Sequence, residues 1–187
     1  MRFKELLSEN SYIARMRIDQ AVRAVAPTLS SWVRPDHGSD NEPVTPEAIP
    51  FTVNRLAKLL QNDGSIIVHR YIWMTPEAMD ALQPGAALGH CWTTNYADMY
   101  LGALTGYDEH PEGSQVYLIK AHVGMNAINW KATVTQQMTL PWENEIVVGG
   151  GFQVLGVWHL GDADISYFDH AKPVAVRPDL RNKAFRP

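Results

Sequence analysis

The sequence predicts an α+β domain led by a helical segment, on three observations. Apolar residues recur at three- and four-residue steps through the first 26 positions. A stretch rich in Pro, Ser, Asp and Asn follows at 30–50. From Ser65 onward, short β-branched runs alternate with brief helix signals and loops. The 187 residues are enough to bury one full core. With 45% hydrophobic and 19% charged residues, disorder of the whole chain is excluded.

Taken in order, Phe3, Leu6, Leu7, Ile13, Met16, Ala21, Val22 and Val25 keep helical spacing, and Ser11 is a candidate N-cap that would divide this helix in two. The Pro-rich stretch at 30–50 reads as a linker or exposed loop. Helical spacing returns from Phe51 to Gln61, closed by the turn residues Asn62, Asp63 and Gly64. Ile66 to Trp73 is an apolar strand interrupted by His69 and Arg70. Thr75 as N-cap and Pro76 at the first helical position open a short helix that ends before Gln83, Pro84 and Gly85. Asn95 to Leu104 reads as helix, and Gln115 to Val123 and Phe152 to Leu160 as strands. Ile146 to Val148, bounded by Pro141 and by Gly149 to Gly151, is a further strand. The chain thus divides into a helical N-terminal segment (1–61), a core (62–169) and a basic tail (170–187).

That tail carries Lys172, Arg177, Arg181, Lys183 and Arg186 against Asp179 alone. It is net +4, which leaves about −8 for the rest of a chain whose net charge is −4. Such a tail suits docking on its own domain or on an acidic partner, or free solvation. A single cysteine, Cys91, excludes an internal disulfide. With no apolar run of about 18 residues and no signal-like N-terminus, the expectation is a cytosolic protein without membrane association, including one delivered into a target cell's cytosol. Seven histidines without HxxxH or HExxH spacing predict no metal site, and phosphate-loop and dinucleotide-fold glycine motifs are absent.

Three features carry chemistry. Arg70 is a cation within an apolar strand and needs an acceptor once buried. In GHCWTTN, Thr93 and Thr94 follow Trp92 directly before a helix pattern, where threonine also serves as an N-cap. Glu143 and Glu145 would share one face of a strand, about 7 Å apart at ~3.3 Å per residue.

Together, IVHRYIW, LQPGAALGHCWTTNYADMYLGA, QVYLIKAHVG and WENEIVVGGGFQVLGV resemble, in order, the motifs of the mono-ADP-ribosyltransferase superfamily. The class is the one named for an Arg, a Ser-Thr-Ser-like segment and a Glu-x-Glu strand. The resemblance spans about residues 65 to 160. It departs from the pattern at Asn95, which replaces the final serine. It implies an ADP-ribosyltransferase-like fold of two packed, bent β-sheets around an NAD cleft. It also implies an enzyme, a glycosyltransferase of toxin or effector type, that uses NAD as substrate, with no metal.

Such enzymes break the nicotinamide–ribose bond through an oxocarbenium-like transition state, which a fixed carboxylate stabilises. By resemblance Glu145 is that carboxylate, Thr93 orients it, and Arg70 holds the NAD phosphate or ribose. Glu143 would deprotonate the acceptor, the pattern associated with a target protein's arginine. Tyr71 and Thr94, with Tyr100 or Tyr96, are the remaining NAD-binding candidates. The stretch Asn129 to Trp142 would form a recognition loop, with Trp130 and Trp142 as target contacts or core residues. The alternatives are an inactive binding or structural protein of the same fold, and the same chemistry directed at a nucleic acid.

Overall fold

A computed structural model describes residues 3–29, 48–95, 112–139, 144–162 and 174–187. The first helix, α1 (Phe3–Leu29), runs unbroken through Ser11. A single serine lowers helix propensity by only a fraction of a kcal/mol. The buried face of Ala14, Ile18, Ala21, Val22 and Val25 continues on one side and sets the outcome. Helix α2 (Ala48–Leu59) begins earlier than its spacing predicts and takes Pro50 into its first turn, where a missing N–H costs little. The predicted loop at 30–50 otherwise lies outside the described residues, as does the predicted helix beyond Asn95.

The strands are β1 (Ile66–Met74), β2 (Cys91–Thr93), β3 (Gln115–Val123), β4 (Glu145–Val147), β5 (Phe152–Asp162), β6 (Val174–Val176) and β7 (Ala184–Phe185). Every pairing between them is antiparallel, in the order β4-β2-β1-β3-β5, with both β6 and β7 on the far edge of β5. The expectation of two packed sheets is corrected here: the described strands hydrogen-bond into one open sheet. The reason is β5. Its 11 residues pair with β3 along one edge and leave room for both C-terminal strands along the other. Irregular register near Val116/Tyr117 and Lys120/Ala121 marks bulges, which bend the sheet.

One face of the sheet carries the main core. Ile66, Val68, Trp92, Ile119, Ala121, Ile146, Val148 and Val154 meet Ile18, Val22 and Leu56 of the N-terminal helices, and Val134 and Met138 of α4 (Trp130–Thr139). The N-terminal segment therefore shares its core with the sheet. The opposite face bears a smaller apolar cluster, Val116 and Leu160 with Tyr71, Trp73 and Leu118. Among the described residues, no helix is long and apolar enough to cross a membrane.

Two short elements follow their sequence signals. The helix α3 (Pro76–Asp80) has Thr75 as its N-cap, with Oγ1 accepting from the Ala78 amide at 3.2 Å. The 174–187 part of the tail docks on its own domain. Arg177, held in the left-handed region at φ 52°, donates to the carbonyls of Met79, Asp80 (3.0 Å) and Leu82 (2.7 Å), and pairs with Asp179 at 2.8 Å. Three carbonyls at the end of α3 are thus satisfied by one guanidinium from the tail. Arg177→Ala is expected to lower stability by about 2 kcal/mol, the scale of losing charge-assisted hydrogen bonds at a half-buried site. An unchanged urea midpoint would remove this strap as a stabilising element.

Candidate functional site

The sheet brings the chemistry-bearing strands side by side. β2 lies between β1 and β4, and the register pairs His69 with Thr93 and Thr93 with Glu145. Directly paired residues project from the same face, so His69, Thr93 and Glu145 form a row across three strands. Lys120, paired with His69 on the other side, extends the row onto β3, and Gly156 closes it on β5. The face is the one opposite the main core.

Glu145 opens β4, the edge strand, and its backbone carbonyl accepts from Gln137 Nε2 at 2.7 Å. Its Oε1 is buried with no hydrogen-bond partner among the described residues. An oxygen in that condition carries a desolvation cost that only a donor or a cation relieves. Thr93, 1% exposed, holds a tight turn: its hydroxyl donates to the Asn95 carbonyl at 3.2 Å and accepts from the Asn95 amide at 3.1 Å. It faces Glu145 across the strand pair while its hydroxyl secures the exit of β2. Thr94 joins the strands from the other direction, its amide (3.1 Å) and hydroxyl (3.4 Å) both donating to the Asn144 carbonyl.

Arg70 lies on the other side of the sheet. It pairs with Ile119 and follows Ile66 and Val68 in phase, so its side chain leaves from the core face. The guanidinium presses on Gly89 and donates to the Cys91 carbonyl at 2.5 Å. Gly89 is required there twice over: its φ is +83°, and an added Cβ would stand 2.7 Å from Arg70 Nη2. Burial lowers the pKa of Arg70, and the nearby Cys91 and Glu145 oppose that shift. Arg70 and Glu145 are therefore within electrostatic reach, although their side chains leave opposite faces. The side chain of β1 that shares a face with Thr93 and Glu145 belongs to His69. Burial and the charge of Lys120 lower the pKa of His69, which favours a neutral imidazole.

Several other candidates are relocated. Arg70 and Tyr71 line a shallow groove of about 370 Å³ along the open edge of β1, bordered by Ala87 and Leu88, and neither Thr93 nor Glu145 reaches it. Tyr71 also packs against the small apolar cluster beside the row. The stretch expected to be a recognition loop is mostly helix α4. Trp130 belongs to the core, 8% exposed, with Nε1 donating to the Met125 carbonyl at 3.0 Å. The helix forms because Val134 and Met138 fill the core while Thr133 and Gln137 bond to β4.

Strand alternation does not run through Asn144, whose φ is 50°, so a shared face for Glu143 and Glu145 does not follow from strand geometry. Glu143, Tyr96, Tyr100 and Trp142 lie outside the described residues. Among the described residues, no three His, Cys, Asp or Glu side chains gather as a metal site.

His69, Lys120 and Gln137 are additions that the sequence reading did not single out. His69 had a signal, the odd-numbered phase of β1 against Ile66 and Val68, and Lys120 had one in β3, the even-numbered phase against Ile119 and Ala121. Gln137 had none. Comparison with protein-family models, with curated proteins and with solved structures returns no match for this chain.

Proposed function

We propose that this chain is an NAD-dependent mono-ADP-ribosyltransferase that transfers ADP-ribose to a protein arginine and releases nicotinamide. The observation that carries the reading is Glu145, whose buried Oε1 lacks a partner among the described residues and which stands in one row with Thr93 and His69. Three segments far apart in sequence converge there. A strand order that sets the carboxylate strand beside the hydroxyl strand, and that beside the first strand, supports an ADP-ribosyltransferase-like reading of the sheet.

In this reading the bond between nicotinamide nitrogen and ribose C1′ breaks with its electron pair leaving on nicotinamide. Glu145 stabilises the cation that develops on ribose. A guanidine nitrogen of the target arginine then attacks C1′, and its proton passes to Glu143, the base that the resemblance assigns. Thr93 keeps β2 against β4. The first-strand position facing the row passes from Arg70 to His69, and Arg70 acts from beneath as a nearby positive charge.

The test is incubation with labelled NAD and a mixture of cellular proteins, followed by mass spectrometry of modified residues. ADP-ribose on arginine together with released nicotinamide is the expected result. The position of Arg70 favours one competing reading, a protein of this fold that binds NAD without turning it over. In that case NAD raises the melting temperature by mass action while no nicotinamide appears. Neither stabilisation nor turnover at millimolar NAD would overturn both.

A further inference from the structure

We infer that Lys120, flanked by His69 and by the Trp158 ring, is the anchor for the diphosphate of the dinucleotide. The inference rests on the proposed function and extends it along the same row. Lys120 stands directly opposite His69 on β3, on the face that carries Glu145. It is half-buried, and among the described residues it takes part in no ion pair. A partly desolvated ammonium in that condition is poised to gain from an anion.

The flank is shaped as well. Lys120 pairs on its other side with Gly156, and the Trp158 indole lies over that glycine so closely that an added Cβ would be 2.5 Å from Trp158 Cη2. Absence of a side chain at 156 leaves that space to the ring. Lys120 and Trp158 are thus diagonal neighbours on one face, and on the lysine's other side is an imidazole whose protonation burial and the lysine disfavour.

Spacing along the row agrees with the assignment. Glu145 and Lys120 are three strand steps apart, about 14 Å at ~4.8 Å per step, and both side chains stand on the same face. Ribose and diphosphate are adjacent groups of the dinucleotide. A ribose under Glu145 therefore brings its diphosphate toward Lys120. His69 stands between them in the same row, paired with Thr93 on one side and Lys120 on the other.

The test is calorimetric binding of ADP-ribose, ADP and NAD to the wild-type protein and to Lys120→Met and Lys120→Arg, with circular dichroism to verify folding. Lys120→Met is expected to weaken all three ligands by about ten- to hundredfold, and Lys120→Arg by much less. In parallel, the His69 imidazole proton resonance is titrated against pH with and without ADP-ribose. A diphosphate on Lys120 offsets the ammonium and raises the His69 pKa. Unchanged affinity in folded Lys120→Met, or an unmoved His69 titration, overturns this inference while leaving the functional reading intact. Wild-type protein that binds neither ADP-ribose nor NAD overturns both. Binding of ADP-ribose and ADP that Lys120→Met abolishes, without NAD turnover by the wild type, supports the anchor and sinks the transferase.

Discussion

Glu145→Gln is expected to reduce nicotinamide release by at least about hundredfold while leaving the melting temperature unchanged or slightly higher. The activity loss follows from electrostatics. An amide keeps the size of the carboxylate but not the charge that stabilises a developing ribose cation, and losing one preorganised stabilising group typically costs ~10²–10³ in rate. The stability side follows from the same oxygen. Glu145 Oε1 is buried without a hydrogen-bond partner among the described residues, so only the nearby charge of Arg70 offsets its desolvation, and a neutral group there gives up that attraction but is cheaper to bury. The backbone stays in place because Gln137 holds the Glu145 carbonyl, which the substitution does not touch. Nicotinamide release within tenfold of wild type would sink the catalytic assignment. A fall of several degrees in melting temperature would instead make the carboxylate a structural group.

Much of the fold was legible because burial imposes a simple pattern on it. The Thr75 cap, the ends of β3 and the start of β5 were read directly from turn residues and β-branched runs. The face of Arg70 was harder. IIVHRYIW is apolar on both faces, so alternation alone does not say which side is buried, and a one-residue change of phase exchanges His69 for Arg70 in the site. Helix α4 was missed for a different reason. WKATVTQQMT contains threonines and a valine, poor helix formers, and its helicity is supported by core packing and by side-chain bonds to β4, which its own composition does not announce. For the glutamate pair, one left-handed residue, Asn144, interrupts the strand alternation from which a shared face was read, and Glu143 lies outside the described residues. Nothing local in the tail's composition announced that its last residues complete the edge of β5.

Gln137→Leu is expected to lower stability by about 2–4 kcal/mol. In a domain of this size that is a fall of about 5–15 °C in melting temperature. β4 is an edge strand, and its outer side is covered by helix α4 in place of another strand. The Val147 amide donates to Thr133 Oγ1 at 2.9 Å, the Val147 carbonyl accepts from the Asn129 amide at 2.8 Å, and the Glu145 carbonyl accepts from Gln137. Gln137 also accepts from Arg55 of α2, through both its side-chain oxygen and its backbone carbonyl. One buried amide therefore links the N-terminal helices to the strand that carries Glu145.

Leucine fills the same space and makes neither bond. It strips an acceptor from Arg55, whose pKa burial already lowers, and a donor from the Glu145 carbonyl. Gln137→Glu separates the two losses: it keeps an acceptor for Arg55 and removes the donor to Glu145, so its stability should fall between the other two. Because that donor fixes the backbone of Glu145, Gln137→Glu should also lower kcat well below its own melting temperature, where the loss of stability is not felt. A Gln137→Leu protein that melts within about 1 °C of wild type would mean that β4 holds its place without the Gln137 bonds, on Thr133 and Asn129 alone.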